Sequence, residues 1–449
     1  MNEKNMTLKD GNIKSLLLKY SVPAIISMLV SALYNVVDRI YIGNMPEVGT
    51  LAITGVGVTL PLANIVLAFS MLIGIGATAN ISIKLGEDRK KDAEKIIGHI
   101  ITLSIILGIG ITILGIFFID PILKIFGASD IIFKYAKNYI SIILCGTVFN
   151  IMGYALNNII RADGSPKICS AIMVFSCLVN IILDPIFIFV LNLGVKGAAY
   201  ATILSQIVTL VLSYLYFKSK RSELKIRKEY FLLDLNIIKL ILSIGISPFV
   251  MQLATSMVQV INNNALKTYG GDLAIGAMTT VNAVALLCFM PVYGISQGAQ
   301  PIIGYNYGAK QFHRMKEALK ISMGVGTLIF LVILFFIESF PITIIKMFNS
   351  DPTIIKMSVE GMRIYLIAMP AIGLAMAGSN YFLAVGKGKM AMFLSLLRQV
   401  ILLIPLITIC SKLLGLRGIW LAQPISDTIS SIITVIMLKR NLPKQKTAV

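Results

Sequence analysis

Polar residues in this chain are confined to short intervals, and between them run apolar stretches of about twenty residues or more from one end to the other, as at 97–119 and 390–409. A helix rises 1.5 Å per residue, so such a stretch is long enough to cross a bilayer core of ~30 Å. The pattern predicts twelve spans, near 16–42, 50–80, 97–119, 135–160, 168–191, 196–217, 238–266, 274–303, 319–341, 360–386, 390–411 and 418–438. The expected fold class is an all-α polytopic membrane protein.

The pattern also repeats. Displacing the chain on itself by about 222 residues brings Ser21-Val22-Pro23-Ala24-Ile25 onto Ile246-Ser247-Pro248-Phe249-Val250 and Leu85-Gly86 onto Tyr307-Gly308. Asn158 and Gly164 fall on Asn380 and Gly386, and Gly194-Val195-Lys196-Gly197 on Gly415-Leu416-Arg417-Gly418. Residues 1–217 then form one six-helix lobe and 238–449 a second with a short tail, joined by a linker at 218–237. An even number of spans per lobe means that both enter from the same side. They are parallel repeats about an axis along the membrane normal, as in several secondary transporters, with a substrate cavity between them.

Composition agrees: 57% of the 449 residues are hydrophobic and 14% charged, too few charges for a water-facing globular surface. The net charge of +19 points to topology and not to nucleic acid. Of the 40 Lys and Arg residues, 28 fall in or beside alternate connections, and Arg39 and Arg398 lie deeper within spans. Short basic loops stay in the cytoplasm, so both termini are expected there, with anionic lipid headgroups as neighbours. The five cysteines lie in or beside apolar spans and read as small buried hydrophobes. The first fifteen residues are polar and lead into a span too long for a signal-peptide core, so no cleavage is expected.

Against this background two acids stand out. Asp38 lies near the outer end of the first span and Asp184 eight residues short of the outer end of the fifth. A carboxylate at membrane depth is costly and rare unless it handles ions, protons or substrate. Tyr34 and Asn35 precede Asp38 by a turn, Asn180 precedes Asp184 by a turn, and Thr202 reaches a similar depth on the sixth span, with Gln206 below it. A buried carboxyl group resists ionisation, the more so beside another, so the pair can hold a proton near neutral pH. Oxygen donors from Asp38, Asn180, Asp184 and Thr202 equally suit a small hard cation such as sodium. The second lobe offers amides and hydroxyls instead, among them Gln252, Gln259, Thr279 and Asn282, while Asp427 and Glu338 are expected to meet water or a neighbouring amide. Ion coupling is therefore expected in the first lobe. Pro23 and Pro248, at matching places in spans one and seven, are candidate bends. Met28, Met173, Met257 and Met290 could furnish an adaptable cavity wall, with Asn35, Gln259 and Asn282 as polar substrate contacts.

No Walker pattern, metal-ligand spacing or nucleophile–base set is present. His99 and His313 stand alone, so neither an ATP-driven pump nor an enzyme is expected, and no cofactor beyond a coupling proton or sodium ion.

The run Ser21-Val22-Pro23-Ala24-Ile25-Ile26 through Ala32-Leu33-Tyr34-Asn35-Val36-Val37-Asp38 resembles the MATE family of multidrug and toxin extrusion transporters. So do Gly74-Ile75-Gly76-Ala77, Leu85-Gly86, Asn180…Asp184-Pro185 and Gly194-Val195-Lys196-Gly197-Ala198-Ala199. The likeness spans essentially the whole chain and is nearest the bacterial MepA-like and DinF-like branch. It implies two six-helix lobes forming a V in the bacterial cell membrane, acting as a monomer that exports lipophilic organic cations in exchange for protons or sodium ions. It also implies functional roles at Pro23, Tyr34, Asp38, Asn180, Asp184 and Thr202. Amides replace the second-lobe acids of the NorM-type branch, which argues against sodium there. The alternative is lipid-linked glycan flipping by relatives of similar architecture, which calls for a cavity rich in Arg and Lys to meet pyrophosphate.

Overall fold

The computed structural model describes residues 9–443 apart from 47, 127, 129 and 348–351; the side chains of Asn35, Val36, Thr50 and Asp272 also lie outside the description. The outermost residues of both termini, on which their sidedness bears, fall outside it as well.

The first lobe comprises α1 (Ile13–Gly43), α2 (Gly49–Gly86), α3 (Lys90–Phe117), α4 (Ile119–Ile125), α5 (Asp130–Cys145), α6 (Thr147–Ala162), α7 (Pro166–Pro185) and α8 (Val195–Lys218). The second lobe repeats this order with α9 (Leu235–Gly271) and α10 (Leu273–Gly308), then α11 (Phe312–Ser339), α12 (Pro341–Lys346), α13 (Pro352–Leu366), α14 (Met369–Ala384), α15 (Gly388–Leu396), α16 (Leu403–Leu414) and α17 (Leu416–Asn441). Among the described residues, ten helices are long and apolar enough to cross a bilayer. The spans expected at 135–160 and 360–386 are instead bent pairs: α5 meets α6 at 52° and α13 meets α14 at 49°. Counting each pair once gives twelve.

Local chemistry accounts for the ends. Asn12 caps α1, its side chain accepting the Lys14 N–H at 2.9 Å, which satisfies a donor the helix cannot. Pro166 opens α7 and Pro341 opens α12, where a missing N–H is harmless. The backbone repeats where the sequence does. Gly164 and Gly386 have φ of 81° and 80°, Gly194 and Gly415 of 56° and 60°, and Asp88 and Lys310 of 59° and 58°. Each fifth span carries a π-helical turn, Ile186–Val190 after α7 and Leu397–Leu402 between α15 and α16.

The lobes meet near the face that carries the basic loops. A Cβ on Gly86 would lie 2.0 Å from the Tyr305 carbonyl oxygen, and one on Gly308 would lie 2.1 Å from that of Ile83. This contact is reciprocal. Gly76 approaches the Ile241 carbonyl and Gly298 approaches Ser21 in the same manner, so backbones pack where side chains would hold them apart. Arg161 Nη1 donates to Gln297 Oε1 at 2.7 Å and Asn80 Nδ2 to the Leu240 carbonyl at 3.0 Å. Farther from this face, Phe69 meets Phe249 edge-on and Gln252 Nε2 donates to Asn64 Oδ1 at 3.5 Å.

The segment after α8 is bonded to the first lobe along its length, which the charge pattern did not indicate. Buried Asp163 accepts from Tyr216, Ser222, Glu223 N–H and Leu224 N–H. Buried Glu94 accepts from Lys225 N–H and Arg227 Nε at 3.1 and 2.8 Å. His99 does not stand alone: its Nε2 accepts the N–H of Asp234, the cap of α9, at 2.8 Å, while Nδ1 faces the Lys95 carbonyl.

Candidate functional site

Asp38 and Asp184 reach each other from α1 and α7, with their carboxyl groups within hydrogen-bonding distance. Asp184 is fully buried and Asn180, one turn below, nearly so. In the orientation that satisfies both ends of its amide, Asn180 donates to Asp184 Oδ2 at 3.3 Å and accepts the Thr202 N–H from α8 at 3.3 Å. Asp38 Oδ1 is buried and meets no donor among the described residues. Two carboxylates offer only acceptors. A proton shared between them or a cation placed among their oxygens would satisfy such a contact, and the four oxygen-bearing residues suit a small hard ion.

The sequence missed one member. Tyr139, from α5, lies beside Thr202 and within electrostatic reach of Asp38, Tyr34 and Asp184. Tyr135 and Tyr139, one turn apart near the outer end of the fourth span, were the available signal. The π turn begins directly after Pro185, whose missing N–H disturbs the helical ladder just beyond Asp184. Such turns recur at functional sites.

The remaining candidates lie elsewhere. Met28 on α1, Met173 on α7 and Met290 on α10 are half-buried, whereas Met257, Gln259 and Asn282 present exposed side chains on α9 and α10. Asn35 has its side chain outside the described residues. Pro23 and Pro248 lie inside α1 and α9, as the pattern indicates.

The expectation for Asp427 needs correction. It does meet the amide of Gln423, which donates to both its oxygens at 3.1 and 3.0 Å, but it also pairs with Arg398 at 3.4 Å. Glu338 likewise pairs with Arg363 at 3.1 Å, so neither acid depends on water or an amide alone.

Two bundles of repeated helical order, with a paired-carboxylate cluster buried in the first, define a polytopic membrane protein of the secondary-transporter class. The MatE family model matches residues 23–186 and again 248–409, so each lobe matches it separately and the chain belongs to that family. It is 26% identical to the multidrug export protein MepA of Staphylococcus haemolyticus over 97% of this chain and 96% of that one. A solved structure described as an outward-facing multidrug resistance MATE family transporter of the MOP superfamily superimposes with a TM-score of 0.92, at 26% identity, covering 98% of both chains. A MOP superfamily transporter from Pyrococcus furiosus, described as having a binding pocket of reversed polarity that suggests a different function, matches equally well: TM-score 0.92, 26% identity and 98% coverage of both.

Proposed function

We propose that this protein exports lipophilic organic cations of several kinds by alternating access, in exchange for protons or sodium ions taken up at Asp38 and Asp184. The observation that carries the reading is the meeting of the two carboxyl groups inside the first lobe. A cationic drug and a small ion compete for one negative site, so loading either one displaces the other. With the basic loops taken as cytoplasmic, the glycine contacts between the lobes close the inner side and leave the carboxylates on the outer side of the seal. An ion arriving from outside releases the drug there, and the lobes then rock to reload from the cell. One charge moved through 100 mV supplies ~2.3 kcal/mol and one pH unit ~1.4 kcal/mol, which together support a gradient of a few hundredfold.

Support also comes from the staphylococcal relatives, which are multidrug export proteins. Glycan flipping is less well served: buried Arg161 and half-buried Arg398 are engaged by Gln297 and Asp427 and offer no cationic cluster for pyrophosphate. The test is efflux of a fluorescent lipophilic cation from cells carrying the wild type, Asp38→Asn or Asp184→Asn at equal membrane levels. Each variant should lose at least tenfold in rate. Wild-type efflux from both would overturn the reading. Vesicles under an imposed proton or sodium gradient identify the ion.

A further inference from the structure

The second lobe holds a polar cluster of its own, built from the fourth, fifth and sixth spans as in the first lobe but from different positions along them. Gly194 and Gly415 share an unusual backbone conformation, φ 56° and ψ −134° against φ 60° and ψ −135°. The register that superimposes them sets Gln423 at the place of Thr202 and Asp427 at that of Gln206. Tyr365 belongs to α13, the counterpart of α5, and Arg398 to the π turn of the span that corresponds to the one bearing Asp184. The fourth, fifth and sixth spans of each lobe thus contribute to one buried cluster.

Their chemistry differs. In the second lobe Asp427 is fully buried, with Arg398 Nη1 3.4 Å from Oδ1. Tyr365 donates to Gln423 Oε1 at 3.4 Å, and Ser426 Oγ donates to the Arg398 carbonyl at 2.6 Å. The titratable and charged groups that face Asp427 are Arg398 and Tyr365. A buried carboxylate needs a positive partner. The first lobe faces carboxyl against carboxyl; the second brings a guanidinium on a neighbouring helix.

We propose that Arg398 is a tethered counter-ion: its guanidinium supplies Asp427 with the positive charge that the carboxyl pair of the first lobe takes from an exchanged ion, so Asp427 takes up no ion from solution and each transport cycle draws on one lobe only. This rests on the reading of Asp38 and Asp184 as the coupling groups. Taking Arg398 away would leave Asp427 among an amide and a phenol with no positive charge, and it would then recruit a proton or a sodium ion. The residue thereby sets how many ions are exchanged per drug molecule.

The experiment compares the wild type, Arg398→Gln and the double variant Arg398→Gln/Asp427→Asn. Infrared spectra of purified protein in sodium-free buffer should show one additional protonated-carboxyl band at neutral pH in Arg398→Gln, absent from the other two. In vesicles with the membrane potential clamped, the equilibrium ratio of a fluorescent cation is plotted against the imposed gradient of the coupling ion. Arg398→Gln should steepen this plot by one ion per cycle, about tenfold more accumulation per tenfold of gradient, and the double variant should restore the wild-type slope. Arg398→Gln without the extra band would overturn the proposal. So would a double variant with a slope shallower than wild type, which would make Asp427 itself an exchange site; this neutral pair serves should Arg398→Gln fail to insert. A wild type whose plot is flat for both ions removes the coupling reading, whereas the infrared comparison decides the role of Arg398 on its own.

Discussion

A single atom, Asp38 Oδ1, states the chemistry of the first lobe most directly. Among the described residues it is buried without a donor beside a second carboxyl group, an arrangement suited to a proton or a small cation. Asp38, Asn180, Asp184 and Thr202 were legible in the sequence because polar residues at similar depth on the first, fifth and sixth spans are conspicuous against an apolar background. Tyr139 was not, since a phenol beside Lys137 and Asn138 at the end of a span reads as an interfacial residue. Replacing Tyr139 with Phe removes a hydroxyl that lies beside Thr202 and the two acids, a contribution of about 1 kcal/mol if it serves them as a hydrogen-bond partner. The coupling-ion concentration for half-maximal efflux should rise roughly fivefold, and an unchanged value would place the phenol outside the cluster.

At the scale of the element, apolar runs located the spans well, and the details that escaped have physical reasons. The bend between α5 and α6 falls at Gly146, with no proline to announce it. The Arg398–Asp427 pair lies across a π turn, which inserts an extra residue and shifts every following side chain around the helix. Periodicity of 3.6 therefore misassigns the facing residues there. Gly194 and Gly415 lie in a backbone region that residues with a Cβ avoid. Gly415 has nothing within 4 Å of where a Cβ would lie, so Gly415→Ala tests the conformation alone. It should lower stability by about 1–3 kcal/mol, read as an earlier thermal unfolding midpoint in detergent. The control Gly324→Ala, in equally open space but within α11, should be neutral or slightly stabilising, because alanine favours helix.

For the whole molecule, the seal between the lobes is built from backbone. The doubled chain was readable from paired motifs, including Leu85-Gly86 and Tyr307-Gly308, but not that these two glycines would press on each other's helices across the pseudo-twofold axis. Sequence comparison detects likeness between halves and carries no information about their docking. Gly86→Ala would set a methyl group 2.0 Å from the Tyr305 carbonyl oxygen, which is backbone and cannot turn aside. Spin labels on the two lobes at the basic face should move apart, and efflux should fall at least tenfold. Unaltered distances would mean that the seal tolerates bulk.

The bonded segment after α8 has an outcome for how the protein can be made. Its residues are fastened to Asp163 and Glu94 as far as Arg227, and Leu232 lies almost fully exposed just before α9 begins. Severing the peptide there would strip neither half of its clasp, so residues 1–232 and 233–449 produced as separate polypeptides should find each other in the bilayer, co-purify and regain export. In mechanical terms the protein is a heterodimer that happens to be translated in one piece.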